Sequence, residues 1–186
     1  MKDGKRLQLK EVILLSILAA LSMITKPYVH AAFAPFVRSF NVPVGVLAGS
    51  VYMAWVVMAG IIVPSRGATV LFCAIQGGLA VLLGMGGALG AFVPLSYIAP
   101  GVAIELLYAL VPVASRSLWV YGLAGAAANL TGAVVNSVLF FQLRGRVLAI
   151  WAIPSAITGA VGGLAAYLVA QRVVLTIRHQ VREQHR

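Results

Sequence analysis

Four carboxylates occur in this 186-residue chain, Asp3, Glu11, Glu105 and Glu183, and only Glu105 stands inside a long apolar run. That run, Tyr97 to Val113, reads YIAPGVAIELLYALVPV. An acid at the centre of a membrane-spanning helix costs ~3 kcal/mol on insertion scales, so such a residue is a functional-site hypothesis by default. At helical spacing Gly101, Glu105, Tyr108 and Pro112 fall along one face. Gly101 has no side chain to fill the space one turn beyond the carboxylate. With the outer end of the span near Ile98, Glu105 is predicted to lie ~10 Å below that end. A small cationic or amidine-like ligand entering from outside would meet the carboxylate there, with Tyr108 stacking on it or donating a hydrogen bond. The competing role is structural: an ion pair with Lys26 or Arg38, or a protonated carboxyl bonded to a neighbouring helix.

Three amides extend the polar set. Asn129 and Asn136 are seven residues apart, so they share a helix face with Gly125 and Gly132, and Gln76 lies on another segment. Membrane helices use such amides as interhelical hydrogen bonds worth ~0.6 kcal/mol each; together with Glu105 they would also line one polar cavity. Trp55, three residues after Tyr52, would wall a flat ligand or pack as an ordinary span aromatic. His30 has no histidine or cysteine near it in sequence, so no metal centre is expected. There is no GxxxxGK[ST], GxSxG or HExxH. No catalytic residue, cofactor or enzymatic activity is therefore expected.

These residues must be positioned by membrane helices. The chain is 61% hydrophobic and 10% charged, against ~25% charged in soluble domains. The net charge of +10 does not point to nucleic acid, because the basic residues cluster at segment ends, where topology explains them. One all-α domain covering 1–186 is predicted, with six spans near 11–25, 44–63, 68–83, 97–113, 118–143 and 147–170, a basic head (1–10) and a basic tail (171–186). Residues 26–43, with three prolines, and 84–96, rich in glycine, read as irregular connections. Placing both termini inside puts ten of the fourteen Lys and Arg on the cytoplasmic side and four, Lys26, Arg38, Arg144 and Arg146, outside, which the positive-inside rule favours. The irregular outer connections would then form a lid or mouth. The tail, with Arg178, Arg182 and Arg186 at four-residue spacing, reads as a helix on the inner leaflet. Gly45 and Gly49, Ala124 and Ala128, and Gly159 and Gly163 would let helices approach closely.

The segments VPSRGATVLFCAIQGGLAVLLG (63–84), APGVAIELLYAL (99–110) and GLAGAAANLTGAVVN (122–136) resemble the substrate-binding S-components of energy-coupling factor (ECF) vitamin transporters. Within that family the chain is most similar to the hydroxymethylpyrimidine and thiamine group, although Gln76 stands where that group is expected to carry an acid. The resemblance implies a six-helix S-component bundle in a prokaryotic cytoplasmic membrane. It would bind a small water-soluble vitamin or precursor from outside, at Glu105, Tyr108, Gly101, Gln76, Asn129, Asn136 and Trp55. It would then dock on a transmembrane coupling subunit carried by two ATPases and release the ligand inside. The docking motif of small residues in the first span corresponds most nearly to Ser16, Ala19 and Ala20. The alternative is a membrane structural or assembly protein in which Glu105 and the amides only hold helices together.

Overall fold

The computed structural model describes residues 7–40, 43–85, 90, 92–139 and 145–184. Within them the chain forms six α-helices and no strand: α1 (Leu9–Phe40), α2 (Val44–Ile62), α3 (Ala68–Leu82), α4 (Val93–Leu110), α5 (Leu118–Leu139) and α6 (Arg146–Gln184). A single 3-10 turn, Val113–Ser115, joins α4 to α5. Five of the helices are long and apolar enough to cross a membrane; α3, with 15 residues, is shorter. The roles expected of residues 1–6 of the basic head and of the side chains of Arg38, Arg144, Arg146, Arg178, Arg182 and Arg186 lie outside the described residues, and Leu9 and Lys10 belong to α1.

Lys26 and Pro27 do not end the first helix. α1 runs unbroken through Pro27 and Pro35 to Phe40, where an irregular connection was expected. In hydrocarbon an unpaired backbone group has no water to bond, so a helix outlasts a proline when its neighbours re-satisfy the freed carbonyls. α4 likewise starts at Val93, four residues before the predicted start of its span, with Pro100 inside it. α3 is bounded by two glycines with positive φ, Gly67 (+80°) and Gly84 (+64°), a left-handed conformation open to glycine without steric penalty.

α5 and α6 meet along a glycine seam. A Cβ on Gly125 would run into the Gly159 carbonyl, and one on Gly163 into the Tyr121 carbonyl. Such contacts need small residues on both helices, as in other membrane helix pairs. The buried core is built by Leu15, Val57, Val63, Phe72 and Ile104 together with Ala124 and Ala128. On the outside, α6 shows Ile150, Ile153, Ile157 and Val161, all more than half exposed, in one stripe; such a face matches lipid rather than water. Of the expected docking patch, Ala19 instead turns into the core at 0% exposure. Ser16 is half-buried with its hydroxyl bonded to the Val12 carbonyl, and Ala20 is exposed.

Replacing Gly159 by valine is expected to force α5 and α6 apart, destabilising the bundle by about 1–3 kcal/mol. A melt in detergent checks this; an unchanged midpoint would show that the seam tolerates side chains.

Candidate ligand-binding site

A cavity of about 760 Å³ opens at the end of the bundle where α2 and α4 begin and α3 and α5 end. Its size lies within the ~300–1,000 Å³ of small-molecule sites. Five helices supply its walls. α1 contributes Lys26 and His30, α2 contributes Tyr52, and α3 contributes Gln76. α4 contributes Ser96 and Tyr97, and α5 contributes Asn129 and Asn136. All three amides singled out in the sequence therefore line one cavity. Each also has a structural partner. Gln76 Nε2 donates to the Ser22 hydroxyl, tying α3 to α1. Asn129 Nδ2 donates to the Ser155 carbonyl at 2.9 Å and to Thr158 Oγ1 at 3.0 Å on α6, and Thr158 donates on to the Val46 carbonyl of α2 at 2.6 Å. A Cβ on Gly49 would collide with the Asn129 side chain, so the start of α2 lies directly on that amide. Asn136 Nδ2 reaches only the Gly132 carbonyl of its own helix, at 2.8 Å.

Lys26 is the lysine that lines this cavity, and the sequence-based reading placed it on a loop. Because α1 is continuous, Lys26 sits 17 residues from the start of the helix, ~26 Å along it. Its Nζ lies 3.8 Å from the ring centre of Tyr97 and 5.6 Å from that of Tyr52. A lysine at the centre of a span costs ~2.5–3.5 kcal/mol on insertion scales, and a cation–π contact returns about 0.5–2 kcal/mol. The tyrosine faces therefore offset part of that cost and leave the ammonium short of a counter-charge.

Glu105 is not part of the cavity. Since α4 starts at Val93, Glu105 lies ~18 Å from that end and only ~8 Å from Leu110, in the other half of the bundle. Its Oε1 accepts from the Thr69 backbone N–H at 3.1 Å, and the Thr69 hydroxyl lies 2.9 Å away. Gly67, the residue that precedes α3, has no side chain to cap that helix. The free N–H groups and positive dipole end of α3 are instead met by a carboxylate from α4. Arg116 does the converse for α4, with Nη2 3.1 Å from the Tyr108 carbonyl and Nε 3.2 Å from the Val111 carbonyl. Its guanidinium stacks 3.9 Å over the Tyr108 ring, which also meets Tyr121 edge-on.

The other residues expected around Glu105 follow it out of the cavity. Tyr108 is buried in this capping cluster, and its hydroxyl has no hydrogen-bond partner among the described residues. Gly101 leaves no room for a ligand, because a Cβ there would lie 2.7 Å from the Thr69 carbonyl and 2.9 Å from Cys73 Sγ; its bare face lets α3 and α4 cross. Trp55 packs against the core, and Tyr52, one turn earlier, takes the cavity wall. Tyr97 and Lys26 were missed as site residues. The one signal for Lys26 was the apolarity of residues 26–43, too high for a free loop.

A protein-family profile described as "ABC-type cobalt transport system, permease component" matches residues 10–131, about two thirds of the chain. The chain belongs to this permease family. It is thus a membrane transport subunit and not an enzyme. A solved structure described as "Crystal structure of an S-component of ECF transporter" superposes with a TM-score of 0.74 at 17% sequence identity, over 97% of this chain and 95% of that one. The fold is that of an ECF S-component. No curated protein matches the chain.

Glu105→Leu is expected to destabilise the protein by about 1–3 kcal/mol, because the Thr69 N–H loses its acceptor, while the Thr69 hydroxyl keeps the Gly101 carbonyl at 3.0 Å. Glu105→Gln, which keeps a carbonyl oxygen, should do so by less. Thermal melts of both variants check the cap, and midpoints equal to the parent would refute it.

Proposed function

We propose that this protein is the substrate-binding subunit of an ECF-type ABC importer, capturing a small water-soluble vitamin or precursor in the Gln76–Asn129–Asn136 cavity. The observation that carries this reading is the cavity itself: amides from two helices and two tyrosine rings converge on a space of ligand size. The family membership and the S-component fold support a transport role around it. With both termini in the cytoplasm, as the partition of basic residues supports, the cavity opens outward. The ligand then passes inward once the subunit docks on a coupling subunit driven by two ATPases. The exposed face of α1, where Ala20 lies beside Ile17, Leu21 and Ile24, is a candidate for that docking.

Two substrates come to mind from similarity, cobalt from the family description and a pyrimidine of the hydroxymethylpyrimidine or thiamine kind from the sequence resemblance. Divalent cobalt calls for imidazole, thiolate or carboxylate ligands. The described lining offers one imidazole, His30, and no cysteine or carboxylate, and no group of three such residues occurs among the described residues. The donor set favours an organic molecule. A flat ring fits it well, stacking on Tyr97 or Tyr52 while its nitrogens pair with the amides.

The test is a thermal-shift and calorimetric screen of detergent-purified protein against vitamins and precursors. A ligand that raises the melting temperature should bind about tenfold more weakly or worse to Asn136→Ala. The ligand-free stability of that variant should change little, because Asn136 bonds only to its own helix. If no small molecule binds, the substrate-binding reading of the cavity fails and its polar groups serve only to join helices.

A further inference from the structure

We propose that the ligand of this cavity is a small organic anion, whose carboxylate or phosphate group pairs with Lys26. The inference rests on the reading of the cavity as the substrate site, and it adds the charge of the substrate. Three observations carry it. First, Lys26 Nζ reaches the cavity from the middle of α1 between the rings of Tyr97 and Tyr52, and no carboxylate is among the residues that line the space with it. Second, among the described residues no carboxylate side chain reaches it. Of its four acids, Asp3 and Glu183 belong to the termini. Glu11 bonds Ser65 at the opposite end of the bundle, and Glu105 caps α3. A ligand entering the cavity is thus what would bring a counter-charge to Lys26. Third, Asn129 has both amide N–H groups engaged by Ser155 and Thr158 and Gln76 has one engaged by Ser22, so their carbonyl oxygens can accept from a ligand's N–H groups. Anion at one end and N–H donors at the other define the recognised chemistry.

This reverses the polarity expected from the sequence, where Glu105 was to receive a cation. A cationic ligand entering this cavity would find a like charge and no acid, so among pyrimidine ligands a phosphorylated one is preferred over thiamine.

Pairs of compounds alike in shape and different in charge test the proposal: nicotinate against nicotinamide, and hydroxymethylpyrimidine phosphate against hydroxymethylpyrimidine, with thiamine as the cation. Calorimetry on the purified protein should show an anionic member binding about tenfold or more tighter than its neutral partner. In Lys26→Gln the preference should collapse to about threefold or less, and Lys26→Arg should retain it. Melts of the ligand-free variants report whether each is folded, and the comparison within each pair on the parent protein needs no variant. Tighter binding of neutral or cationic members overturns the anion and leaves the substrate-binding reading standing. So does a preference unchanged in folded Lys26→Gln. Failure of every compound to bind overturns both. Displacement of the bound anion by phosphatidylglycerol, in phosphatidylcholine nanodiscs prepared with and without it, would give the site to a lipid headgroup and overturn the proposal.

Discussion

Hydrocarbon offers no water to a charge or to an open helix end, and the internal structure of this protein follows from that constraint. Polar groups inside the bundle look for partners within the protein, and two of the charged ones find them at the ends of helices. Glu105 of α4 meets the exposed N–H end of α3 through Thr69. Arg116 meets the open carbonyl end of α4. These two contacts use opposite charges on opposite dipole ends, and they hold α3 and α4 in the register at which Gly101 crosses Thr69 and Cys73. The charged residues of this half are thus engaged in closing the fold.

The other half differs in one respect. The amides Gln76 and Asn129 are bound to neighbouring helices through their nitrogens, while Lys26 meets the ring faces of Tyr97 and Tyr52 and no carboxylate among the described residues. The contrast divides the bundle into a closed capping end and an open end with an unbalanced positive charge. A single polar network of the first kind would explain a structural protein. The coexistence of both kinds, with a cavity of ligand size at the unbalanced end, is what a transport subunit needs: a stable frame and a place where binding energy remains to be gained.

Much of the fold was legible in the residues. Long apolar segments, basic ends and pairs of small residues follow directly from the transfer of helices into lipid, and the Gly159–Gly163 pair does lie on the α5–α6 seam. Helix boundaries near prolines were not legible. In water Pro27 and Pro35 would break a helix; in lipid the alternative, an unpaired backbone, is worse, so α1 continues to Phe40 and α4 starts at Val93. These two shifts moved the site. They carried Lys26 from a loop into the bundle and Glu105 away from the cavity mouth. Asn129, Asn136 and Gln76 line one cavity, as their spacing suggested, because they lie inside their helices, where boundary errors do not matter.

The sequence by itself determined that this is a helical membrane protein, which polar residues its interior must accommodate, and that almost no acid is available to them. Those are matters of composition, settled by the cost of polar groups in hydrocarbon. Only the tertiary structure decided which of these residues neutralise one another and which face open space. Glu105 and Lys26 look alike in sequence, each a lone charge in an apolar setting. The difference between them lies in what the neighbouring helices present: to one the start of α3, to the other two tyrosine rings and a cavity.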